Sequence, residues 1–244
     1  MPYPASVSPA YGSVLRRWLQ RARLSLMVLL AGSLALFAEP VSRGVSIDFS
    51  RFDAQLKTRF GEDRLAVSAL WQSLLYSLQG QAELDQVRQI NAFFHEHLRY
   101  RLDSDLYGAE DYWATPLETL GHGLGDCEDY VIAKYISLLQ AGVDDSKLRL
   151  VYVRARLGGP RSSTSRAHMV LSYQATPSAE PLILDSLIED LLPASMRTDL
   201  DPVFSFNYQG MWAAGSATPL GSSTARLSRW RNVIERMESE GMSW

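Results

Sequence analysis

Apolar residues fall every three or four positions through residues 50–79, 83–98, 127–140 and 225–238, and closer to every second position in shorter runs between 148 and 185. The first spacing predicts helices and the second predicts strands. In the opening stretch Leu65, Ala69, Leu70, Leu74, Leu75 and Leu78 set the stripe, and the chain breaks at Gly80. Leu84, Val87, Ile90, Phe94 and Leu98 make one buried stripe over Glu83–Leu98. Val131, Tyr135, Leu138 and Leu139 give the helix over Cys127–Gln140 one apolar face, with Gly142 as its stop. Strands are predicted over Leu148–Arg156, His168–Tyr173 and Leu182–Asp185. Residues 158–166 read as a loop, and 176–180 as a hairpin link. A Pro202–Tyr208 run with Trp212 and a last helix over Ala225–Glu238 follow. Residues 100–125, rich in Tyr, Trp, Pro and Gly, read as a structured loop. Helices, then a further helix, then antiparallel strands describe an α+β domain without internal repeats.

The first 38 residues break this pattern. Arg16, Arg17, Arg21 and Arg23 precede an apolar run from Leu24 to Ala38, followed by Glu39-Pro40. A basic start, a hydrophobic middle and a small-residue end predict a signal peptide over 1–38, with an uncleaved anchor as the alternative. The run is short for a bilayer span, which needs about 20 residues. Either form takes the body of the protein out of the cytoplasm. The whole chain carries a net charge of −3, and loss of those four arginines leaves 20 basic against 27 acidic residues, a net of −7. Such an acidic body argues against nucleic acid as a partner.

The chain has one cysteine, Cys127, which excludes an internal disulfide framework. Its setting, Gly125-Asp126-Cys127-Glu128-Asp129, is polar and directly precedes a helical pattern. A thiol in the first turn of a helix meets the positive end of the macrodipole and unpaired N–H groups, which favour the thiolate. Of four histidines, His95 and His97 fall on the amphipathic helix as surface or rim residues. His122 sits in a glycine-rich loop that would hold an imidazole loosely. His168 opens a strand continued by Met169-Val170-Leu171, which would hold it firmly as a general base. Asp185 ends the neighbouring strand and is placed to orient His168, with Glu189 and Asp190 further off. A nucleophile, a base and an orienting acid form a catalytic set.

Asp126, Glu128 and Asp129 oppose thiolate formation by like-charge repulsion. Asp126 as helix cap and the helix dipole offset part of this. A hard cation such as Ca²⁺, with its preference for carboxylate and carbonyl oxygens, would offset the rest.

Trp113-Ala-Thr-Pro116-Leu-Glu118-Thr-Leu120, then Gly125-Asp-Cys-Glu-Asp129, His168 before an apolar strand, and Asp185 together resemble the bacterial transglutaminase-like cysteine proteinases of the LapG type. The resemblance covers roughly residues 45–215. It implies an α+β, papain-like or transglutaminase-like core with the nucleophile at the start of a helix packed on an antiparallel sheet. Residues 45–244 would then form one proteinase domain with an N-terminal helical lobe. It also implies Cys127 as nucleophile, His168 as general base and acid, Asp185 as its orienter, and calcium dependence with Asp126, Glu128 and Asp129 at the metal. The substrate so implied is the N-terminal region of a large surface adhesin, cut in the periplasm next to a di-alanine so that a biofilm disperses. The regulator so implied is an inner-membrane cyclic di-GMP receptor of the LapD type. The residues themselves leave open a transglutaminase or amidase using the same triad, or a calcium-stabilised binding module that does not cut.

Overall fold

The computed structural model describes residues 44–158 and 161–244, so the leader predicted over 1–38 lies outside the described residues. The predicted helical stretch 50–79 is two helices, α1 (Phe49–Phe60) and α2 (Leu65–Ser77), hinged at Gly61 and a short 3-10 turn. The buried face of α2 is Ser68, Trp71 and Leu75, followed by Leu78, while Leu70 is 53% exposed. The sequence stripe is therefore rotated by about one position, because Trp71, a ring far larger than Leu70, takes the core and packs on Phe49 and Phe52. Helix α3 (Glu83–His97) buries Val87, Ile90 and Phe94 as its spacing predicts.

Residues 100–125 are more ordered than a loop. A short strand β2 (Arg99–Tyr100) leads to a helical turn α4 (Asp103–Leu106) and then to helix α5 (Pro116–His122). Thr115 caps α5: its side chain accepts from Glu118 N–H while Glu118 reaches back to Thr115 N–H. This box and Pro116 at the first helical position are legible in Thr115-Pro116-Leu117-Glu118. Gly123 ends α5 with φ +65°, and β3 (Leu124–Gly125) pairs in parallel with β2, setting Tyr100 against Gly125.

Helix α6 (Cys127–Gln140) is the centre of the molecule. Burial extends all round it from Cys127 to Leu139, beyond the single face that its apolar spacing predicts. It is enclosed by α3, α5 and the main sheet. Each fully buried Ile, Leu or Val on it contributes roughly 1.5–3 kcal/mol, and Leu138→Ala would cost about 2–5 kcal/mol.

The sheet has six antiparallel strands in the order β7 (Leu192–Pro193), β6 (Leu182–Leu184), β5 (Ser165–Tyr173), β4 (Leu148–Arg156), β8 (Leu200–Phe206) and β9 (Met211–Ala213). The long β4–β5 hairpin holds Val153 opposite His168, and β5–β6 holds Leu171 opposite Leu184. Beyond Leu184 the chain leaves the ladder at Asp185. The last helix, α8 (Ser228–Ser239), follows a short α7 (Ser223–Arg226), and β10 (Met242–Ser243) pairs with β1 (Ser46–Ile47). No helix among the described residues is long and apolar enough to cross a membrane.

Candidate active site

Cys127 is the first residue of α6 because Asp126 caps the helix through a reciprocal box with Asp129. Gly125 is required there by space, since a Cβ would lie 2.8 Å from Asp129 Cβ. Cys127 and His168 line one cleft of about 500 Å³, walled by Trp113, Tyr152 and Met169. His168 is 3% exposed and its Nε2 lies 2.8 Å from Asp185 Oδ1.

Asp185 is saturated with donors. Besides His168, Leu187 N–H reaches Oδ1 at 3.0 Å and Arg197 Nη1 reaches Oδ2 at 2.8 Å, with Arg197 itself braced on Asp199. Burial alone would raise its pKa, but His168, Leu187 N–H and Arg197 together hold it well below the usual carboxylate range. An ionised Asp185 accepts only, so Nε2 of His168 carries the hydrogen and Nδ1 is left as the basic nitrogen.

The thiol stands in the opposite kind of environment. Its hydrogen-bond partner is Glu128 Oε2 at 2.8 Å. Burial, then the charge and hydrogen bond of Glu128 and the charge of Asp126, push the thiol well up, while Met169 N–H pulls it down. Around it Asp126 is raised to about 9 and Glu128 to about 7, each first by burial, with a neighbouring carboxylate adding to it. Asp129 is raised too, although Ala114 N–H and Asp126 N–H reach its two oxygens at 2.8 and 3.3 Å.

Two acids that the sequence reading left in the loop join this cluster. Asp103, Asp111 and Glu128 offer oxygens within 4.8 Å of one another, as do Asp103, Asp126 and Asp129, and as do Asp126, Cys127 and Glu128 through one atom each. Asp103 Oδ1 and Asp126 Oδ1 are buried without a hydrogen-bond partner. Buried carboxylate oxygens without a donor, in a cluster of acids this close, are what a hard cation satisfies, so the residues present fit Ca²⁺. The signal for Asp103 and Asp111 was the acid-rich loop itself, but their convergence needs the parallel β2–β3 pair and the helical turn α4.

The other histidines separate cleanly. His122 is exposed at the end of α5 and packs edge-on against Phe60 and Tyr107. His97 packs on Phe93. His95 is more than the rim residue expected: its Nε2 is 2.9 Å from the main-chain oxygen of Asp185. Glu189 and Asp190 are exposed.

The family model described as bacterial transglutaminase-like cysteine proteinase matches residues 72–199. Three structures of Legionella pneumophila LapG superpose well. The EGTA-treated form is 36% identical with a TM-score of 0.67, covering 77% of this chain and 96% of that one. A second form is 35% identical with a TM-score of 0.65 and the same coverage. The calcium-bound form is 37% identical with a TM-score of 0.64, covering 77% and 98%. A comparison with curated protein sequences gave no match. A thiol at a helix start, an imidazole braced by a carboxylate in the same cleft, and these likenesses agree: the chain belongs to the bacterial transglutaminase-like cysteine proteinases and is a LapG-type cysteine protease.

Proposed function

We propose that this protease is a calcium-dependent periplasmic endopeptidase that cuts the N-terminal region of a large surface adhesin next to a di-alanine, releasing the adhesin and dispersing a biofilm. The observation that carries the catalytic part is the shared cleft of Cys127 and His168, with His168 fixed by Asp185 at 2.8 Å. In this reading Nδ1 of His168 takes the thiol proton, the thiolate attacks the scissile carbonyl, and the same imidazolium returns the proton to the leaving amine. A thioester on Cys127 remains, which water hydrolyses with His168 as base. The Cys127 N–H, in a first helical turn that leaves it without an intrahelical partner, is an oxyanion donor.

Asp103, Asp111, Asp126, Glu128 and Asp129 would hold the calcium ion, which supplies positive charge beside the nucleophile. The orphaned oxygens of Asp103 and Asp126 support that site, and the calcium-bound form of the Legionella relative is consistent with it. The basic, then apolar start of the chain supports export. An inner-membrane cyclic di-GMP receptor of the LapD type is the proposed regulator, by the family resemblance.

The test is cleavage of an adhesin N-terminal fragment containing a di-alanine, with calcium or a chelator, beside Cys127→Ala. Cutting that needs both calcium and Cys127 is the expected result. Tight binding without cutting would favour a binding module, and transfer to an added amine would favour a transglutaminase.

A further inference from the structure

The carboxylate of Asp185 is only half of that residue's bonding. Its main-chain oxygen lies 2.9 Å from His95 Nε2 and 3.1 Å from Lys134 Nζ, and these two nitrogens are 3.2 Å apart. His95 belongs to α3. Lys134 belongs to α6, seven residues or about two turns beyond Cys127. It is fully buried, in the otherwise apolar run Val131-Ile132-Ala133-Lys134-Tyr135-Ile136. Burying an ammonium costs several kcal/mol before its partners are counted. Burial indeed pushes Lys134 down to about 7, against the opposing pull of Asp185 and Glu189. A methionine of similar length would fill the same space without that cost, so packing does not account for the amine.

We propose that Lys134 is a positioning residue, which ties the helix carrying Cys127 to the turn carrying Asp185 through the Asp185 carbonyl. The inference rests on the Cys127, His168 and Asp185 reading above. Strand β6 is three residues long and its ladder to β5 ends at Leu184, so the Asp185 backbone has no strand partner there. The donors from α6 and α3 take the place of a ladder hydrogen bond. Nucleophile and base ride on different elements, α6 and β5, and the orienting acid on a third. A displacement of about 1 Å between such groups costs roughly 100-fold in rate, and a direct tie from α6 to Asp185 limits that displacement.

The experiment compares the full-length protein with Lys134→Met and Asp185→Asn by thermal melting, by steady-state kinetics on the adhesin fragment, and by the ¹H–¹⁵N resonance of His168 Nε2–H. That proton is held by a carboxylate and should appear far downfield in the parent and be lost in Asp185→Asn. Lys134→Met should melt at or above the parent temperature, because the desolvation cost of a buried amine has been removed and an apolar chain of similar length fills its space. Its His168 resonance should nevertheless move or broaden, and kcat should fall about 10- to 100-fold with KM unchanged. Parent-like resonance and kcat in Lys134→Met, with Asp185→Asn defective in both, would overturn the positioning role alone. A parent-like Asp185→Asn would overturn the triad reading instead. If Lys134→Met does not fold, Lys134→Gln carries the test: the shorter side chain withdraws the donor from the Asp185 carbonyl, which should shift the same resonance and lower kcat about threefold, and parent-like values would overturn the proposal.

Discussion

Asp185, bonded to the imidazole of His168, and the carboxylates beside Cys127 are treated in opposite ways. Asp185 meets donors at each of its oxygens, from His168, Leu187 N–H, Arg197, His95 and Lys134, and is held ionised far below its ordinary range. Asp103, Asp126, Glu128 and Asp129 meet mainly one another and a thiol, and all are raised. The first arrangement is complete as protein. The second is incomplete, because buried oxygens of Asp103 and Asp126 lack any partner. The contrast teaches that one half of the site is preorganised by the fold, while the other waits for charge from outside, as a proton or as a cation.

The largest effect should come from breaking the complete half. Asp185→Asn keeps the shape but presents an amide to Nε2, which favours the wrong tautomer of His168 and removes the charge that pairs with Arg197. By analogy with other catalytic triads, kcat should fall on the order of 10³- to 10⁴-fold with little change in KM. Steady-state kinetics check this, and a loss below tenfold would show that the acid does not orient the base.

Next in size is the pH response of stability, which separates the two halves by sign. Asp185 has a depressed folded pKa, so its contribution is present above its unfolded value near about 4 and is lost as pH falls below that. Asp126 and Glu128 have raised values, about 9 and about 7. Their contribution is complete below about 4 and is lost as pH rises through 7 and then 9. In a chelator, the melting temperature should therefore decline between about pH 5 and 9. Saturating calcium should remove the decline, since it takes the deprotonated carboxylates, and should add about 2.7 kcal/mol at 100 times its Kd. Asp126→Asn should flatten the chelator curve. Scanning calorimetry across that range measures all three, and identical slopes with and without calcium would separate the acid cluster from the metal.

The sequence was informative in proportion to how locally each feature is encoded. The first-turn position of Cys127 follows from Asp126, Asp129 and the apolar run behind them, all within one helix, and α3 follows from its own spacing. His168 and Asp185 were legible because each sits at the end of a short apolar run. Helix α5 was equally local, since Thr115-Pro116-Leu117-Glu118 spells a capping box, but the glycines around it read as loop. What spacing could not reach was convergence. Arg197 meets Asp185 only because β7 and the turn after it fold back onto β6. Asp111 is held from the far end of the chain, by Arg229 of α8 at 3.1 Å, and Arg236 of the same helix bonds Glu118 and the Trp113 carbonyl. The one local clue to Lys134 was a cation amid apolar neighbours, a position whose partner is set by tertiary structure alone.

The smallest of these effects should come from relieving, rather than breaking, the incomplete half. In the absence of a cation, Glu128 raises the thiol in two ways: its charge repels a thiolate and its Oε2 accepts the thiol hydrogen at 2.8 Å. Glu128→Gln removes the charge and keeps an acceptor, so the folded-state thiol pKa should drop. Burial is the leading cause of the elevation and remains in the variant, as does Asp126, so the drop should be partial. Because the thiolate is the reactive form, alkylation of Cys127 by iodoacetamide at pH 8 in chelator should then speed up about tenfold. Glu83→Gln, remote from the cleft, serves as the control and should leave the rate unchanged. A parent-like rate in Glu128→Gln would mean that burial alone keeps the thiol protonated, and that the two carboxylate environments differ less in consequence than in geometry.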